Sequence, residues 1–189
     1  MMKIMTCFAC FCVVASALAT AARAEDPPIP RPTAEHKILA AEEGTWDATI
    51  KSFEAGPESA PTVSKGVEVN TVMAGGLWVA SSFKGDFGGM TFEGRGQYGY
   101  DPYKKKYVGT WVDSMSPSLI VLEGTYDAAT KTLSYAGDGV CPIDNSKLGM
   151  RMVTVAKEDG RRVFTLYATG TPTGGKEAKM MEIEYTKRK

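Results

Sequence analysis

From Gly44 onward, apolar and polar residues alternate with a period of two, and turn residues break the pattern every ten residues or so. Trp46, Ala48 and Ile50 stand against Asp47, Thr49 and Lys51, the pattern of a half-buried strand whose side chains point to alternate faces. Comparable segments run over 62–73, 77–85, 90–101, 106–113, 118–127, 131–137, 148–157, 161–169 and 176–186, joined by short turns rich in Gly, Asp, Asn and Pro. No connection is long enough for a helical crossover, so consecutive strands are expected to pair antiparallel in a meander. Such a set folds as a sandwich or a barrel. The absence of long Greek-key connections favours the barrel, which leaves no exposed edge. The fold predicted is therefore an all-β, antiparallel up-and-down β-barrel of about ten strands with a short N-terminal helix, over 34–189.

Ahead of the barrel the pattern differs. Residues 1–24 carry Lys3, an apolar run from Ile4 to Ala19 and the small-x-small ending Ala22-Arg23-Ala24, which reads as a cleaved export signal and predicts a periplasmic or secreted location. The apolar run is shorter than a bilayer span, so no membrane insertion is expected after cleavage. Pro27, Pro28, Pro30 and Pro32 make 25–33 an extended tether. Thr33 caps a helix predicted over 34–43, with Gly44 as its stop.

Three of the four cysteines, Cys7, Cys10 and Cys12, fall in the leader. Cys141 is left alone, so the domain forms no internal disulfide. Lys plus Arg equal Asp plus Glu at 22 each, and without Lys3 and Arg23 the charge is about −2. That gives no basic surface for nucleic acid. The single histidine, His36, provides no cluster for a metal, and no cofactor is expected. No Gly-x-Ser-x-Gly elbow is present, and the Gly-rich stretches 85–89 and 94–96 lack the strand-to-helix context of a phosphate cradle.

Asp113-Ser114-Met115-Ser116-Pro117 ends the strand that carries Tyr107, Gly109 and Trp111 on one face. If Trp111 points into the barrel, Asp113 does so too, at the rim, where it orients a ligand's polar head or merely starts an Asx turn. Pairing across this turn so that Trp111 faces Ile120 sends Glu123 outward. A one-residue slip would bring Asp113 and Glu123 together as an acid/base pair. The inward face of Arg95 is left open. A repeated turn begins at Tyr100-Asp101 and again at Tyr126-Asp127, with Lys105 and Lys131 at matching positions, and reads as two hairpin ends.

Gly44-Thr45-Trp46, opening the first strand after a helix, resembles the Gly-x-Trp signature of the calycin group, which includes the lipocalins and fatty-acid-binding proteins. That resemblance implies a tryptophan closing one barrel end under a basic residue, here Lys187 or Arg188. Glu35 to Leu39, Gly99 to Pro102, Tyr107 to Ser116, Glu123 to Asp127 and Glu182 to Thr186 are similar to the uncharacterised bacterial family catalogued as domain of unknown function 1579. This implies a lipocalin-like barrel and carries no activity. A more distant likeness to haem-binding nitrobindin barrels has only His36, ahead of the barrel, to match their histidine ligand.

The functional expectation is a barrel that holds a small apolar or amphipathic ligand, with Trp46, Trp78, Tyr98, Trp111, Asp113 and Met115 as binding residues. The alternatives are an isomerase- or hydrolase-type enzyme using Asp113 with Glu123 or Tyr98, and a filled barrel serving as an interaction module.

Overall fold

The computed structural model describes residues 29–53, 60–87, 89–141 and 144–189. The segment read as an export signal, the first four residues of the tether and Pro142 lie outside the described residues. Between Arg31 and Lys189 the chain forms one closed antiparallel barrel of ten strands, each beside its neighbour in sequence, with β1 against β10. The strands are β1 (Gly44–Ser52), β2 (Thr62–Met73), β3 (Trp78–Phe87), β4 (Met90–Asp101), β5 (Lys106–Asp113), β6 (Ser116–Asp127), β7 (Thr132–Val140), β8 (Lys147–Ala156), β9 (Arg161–Thr169) and β10 (Ala178–Lys187). The single α-helix among the described residues, α1, covers Ala34–Ala40, three residues shorter than its predicted extent. Its last carbonyls are taken up by a tighter turn, with Glu42 and Glu43 amides donating to Leu39 and Ala40.

Seven residues are too few for a helix to hold itself in water. Tertiary contacts supply the rest: Leu39 is buried at one barrel end with Val79 and Tyr107. The Thr33 amide donates to His36 Nδ1 (3.0 Å), and the His36 ring meets Tyr100 edge-on at 5.8 Å. His36 is thus a buried structural residue that caps the helix and helps seat it on the barrel.

Ladder register fixes the two faces. Trp46 pairs with Glu68 and Lys187, Phe83 with Gly94, Trp111 with Ile120, and Leu122 with Gly137. The inward set contains the buried cores Trp46, Ala48, Ile50, Phe83, Ile183 and Tyr185 on one side and Val79, Ile120, Leu122 and Tyr135 on the other. Trp111 packs against both, bridging them across the lumen. β2 inverts its apparent polarity, because Glu68 and Asn70 point inward while Val63 and Val69 face solvent.

Candidate functional site

The helix end of the barrel is sealed by an ionic cluster. Arg162, opening β9, reaches inward and bonds both Glu42 and Glu68. Its guanidinium lies between two rings, 4.3 Å from the centroids of Trp46 and of Tyr185. Trp46 Nε1 donates to the Glu42 carbonyl (2.9 Å), which also accepts from Asn70 Nδ2 (3.2 Å). The link between α1 and β1 is thereby tied to three strands. Burial pushes the Arg162 guanidinium down to about 10 and the Glu68 carboxyl up, because removal from water penalises the charged form of each. The basic residue over the tryptophan is therefore chiefly Arg162. Lys187 Nζ lies farther off, 5.2 Å from the Trp46 ring, and Arg188 instead bonds Asp47 at 2.6 Å.

Beyond this seal the interior of the barrel is lined by aromatic and aliphatic side chains. Phe92, Tyr98, Trp111, Met150, Met152, Phe164, Leu166 and Met181 all point inward by register, yet each keeps part of its surface accessible. Glycines on adjacent strands let aromatic rings lie flat against the wall. A methyl group on Gly109 would sit 2.5 Å from Tyr98 Cδ1, one on Gly124 2.7 Å from Tyr135 Cδ1, and one on Gly66 2.6 Å from Phe83 Cζ. Trp111 covers Gly94 and Gly96 in the same way. Three phenols, Tyr98, Tyr135 and Tyr185, give the apolar interior a polar element. Burial holds them well above the usual phenol range, so they remain neutral donors, and the Tyr135 hydroxyl is buried without a protein partner.

Asp113 stands at the opposite rim on the inward face. It accepts from Trp111 Nε1 (2.9 Å) and from the Met115 amide (2.9 Å). The Asx-turn reading of Asp113 holds, and the same carboxylate also fixes the indole against the wall. Met115, at the hairpin tip, is 53% exposed. Glu123 faces outward and pairs with Lys104 at 2.6 Å, so Asp113 and Glu123 do not form a carboxylate pair. Arg95 is likewise outward and exposed. Trp78 corrects an expectation: Val79, Ser81 and Phe83 take the inner face of β3, and Trp78 lies outside over Gly99. Cys141 is fully buried.

Arg162 and Glu68 escaped the sequence reading because charged residues in strands ordinarily face solvent. A signal existed, since Arg162 shares the parity of Phe164 and Leu166 in β9. Among the described residues no three of His, Cys, Asp and Glu converge as a metal site.

The family described as "Protein of unknown function (DUF1579)" matches residues 31–187, from just ahead of α1 to the end of β10. The chain belongs to this family. No curated protein matches it. The DUF1579 match ends at Lys187, the last residue of β10, the strand that closes the barrel, so the family's extent coincides with the structural unit.

Proposed function

We propose that this DUF1579 chain is an exported carrier that holds a small apolar or amphipathic molecule in its lumen. The observation that supports this reading is the row of inward-facing side chains that stay accessible inside a closed barrel. Trp111, Tyr98, Phe92, Met150 and Met152 form the apolar wall, Trp46 belongs to the sealed floor, and Asp113 with Met115 marks the mouth. Ligand pockets are typically apolar with few polar groups, and neutral buried phenols are suited to hydrogen-bonding a ligand's oxygen.

Native mass spectrometry of protein purified from its own cell envelope, before and after denaturation, tests the proposal. A released small molecule is expected, and the purified chain is expected to start at Glu25. Saturable fluorescence enhancement of Nile red, weakened several-fold in Trp111→Ala, is the accompanying result. Absence of both a released mass and saturable dye binding would overturn the carrier reading.

A further inference from the structure

The repeated Tyr-Asp turns build a cavity at the helix end of the barrel, beside α1. About 330 Å³ in volume, it is lined by Glu35, Ile38, Tyr100, Lys105, Tyr107 and Tyr126 among others. Tyr100 and Tyr126 occupy matching positions near the ends of β4 and β6, and Tyr107 lies between them near the start of β5. The Tyr107 centroid is 5.2 Å from that of Tyr100 and 6.4 Å from that of Tyr126, with planes inclined at 62° and 59°. Tyr107 is buried, so it forms a floor on which two inclined rings stand as walls.

Two opposite charges flank this cup. Glu35 accepts from Thr33 Oγ1 at 2.5 Å, which holds its carboxyl below the ordinary range and keeps it anionic at neutral pH. Its charge is felt at Tyr107, whose phenol is pushed up to about 12 chiefly by burial and next by Glu35. Lys105 sits at the turn with φ +53°. The neighbouring Lys104 is engaged by Glu123, whereas among the described residues neither Lys105 nor Glu35 has an ion-pair partner at 4 Å or closer.

Aromatic faces attract diffuse, weakly hydrated cations more readily than they do a small hydrated ion. A carboxylate beside the rings favours the same sign of charge, and a lysine at the rim favours an anion attached to that cation. The volume is at the lower limit for ligand pockets, fitting a head group. We propose that the cup binds a quaternary-ammonium zwitterion, with the ammonium against Tyr100, Tyr107 and Tyr126 beside Glu35 and the anionic group at Lys105. Free phosphocholine and the phosphatidylcholine head group share this chemistry.

Calorimetric titration of the full chain with phosphocholine at low ionic strength is expected to show saturable binding. Tyr126→Ala weakens it about tenfold and Tyr126→Phe hardly at all, because the ring face is what binds. Glu35→Gln weakens both phosphocholine and tetramethylammonium, while Lys105→Gln weakens phosphocholine alone. Both are surface changes that leave the melting temperature near that of the parent. Co-sedimentation with phosphatidylcholine vesicles, displaced by free phosphocholine, assigns the lipid as the source; soluble binding without co-sedimentation assigns the free zwitterion. The proposal is overturned if neither cation binds, if the neutral isostere 3,3-dimethylbutanol binds as tightly, or if a folded Tyr126→Ala chain keeps full affinity.

Discussion

Gly94 faces the lumen with the Trp111 indole lying directly on it, so that an added methyl group would overlap Cζ2 of the ring. Unlike a glycine at a turn, it is needed for its missing side chain and not for its backbone freedom. Gly94→Ala must lift the indole from the wall and strain its bond to Asp113. The expected cost is about 1–3 kcal/mol, read as a lower urea midpoint at unchanged m-value, together with a shift in tryptophan emission. Gly149 is the control: a methyl group there meets nothing closer than 3.6 Å, and Gly149→Ala is expected to change stability by no more than about 0.5 kcal/mol. An unchanged midpoint in Gly94→Ala would mean that the indole is free to move and that the wall does not position it.

At the scale of elements, Arg162 joins β9 to β2 and to the turn behind α1 through Glu68 and Glu42. Arg162→Met leaves two carboxylates facing an apolar ring stack, for which about 3–5 kcal/mol is the usual loss. Adding Glu68→Leu to that variant is expected to recover part of it, because the remaining desolvation penalty is removed with the charge. Urea unfolding of the single and double variants measures both effects, and a double variant less stable than the single one would refute this account. The same elements show what was legible in the sequence. Strand positions and the Trp111–Ile120 register were readable because period-two alternation and the Asp113 turn leave few pairings. The inward face of β3 was not, since Trp78 and Phe83 put an aromatic residue on each face. β2 reads inverted for a related reason: its valines look like the core face, but the interior position opposite Trp46 is taken by Glu68, whose partner arrives from β9, far along the chain. Long-range ion pairing has no local periodicity to betray it, so the sealed floor had to come from the structure.

Across the whole molecule, many carboxylates are held below their ordinary range by hydrogen bonds and ion pairs. Ser146 and Thr171 act on Asp144, Arg161 on Asp159, Arg188 on Asp47 and Arg151 on Glu177. A carboxylate with a lowered folded value stabilises the fold above its unfolded value of about 4, and that contribution is lost as pH falls through the folded value. Glu68, raised by burial, has the opposite sign, so its contribution is complete in acid and fades as pH rises through its folded value. Because the lowered groups are exposed, each contributes modestly, and their number sets the trend. Melting temperature is expected to stay level from about pH 7 to 5 and to fall below about pH 4. Asp144→Asn should make that acid limb shallower, and a melting temperature that stays constant down to pH 2.5 would contradict the assignment.

Nine of the ten ladders join strands consecutive in the chain, and one, between β1 and β10, joins the two ends of the domain. Hairpins of this kind can form in turn as the polypeptide emerges during synthesis, with short loops to close. The seam cannot form in that way. Until β10 appears, β1 and β9 each offer an unpaired row of amides and carbonyls to any other strand nearby. The interval between completing β9 and completing β10 is therefore when a nascent chain is most exposed to edge-to-edge association, and its last ten or so residues end that exposure on both edges at once.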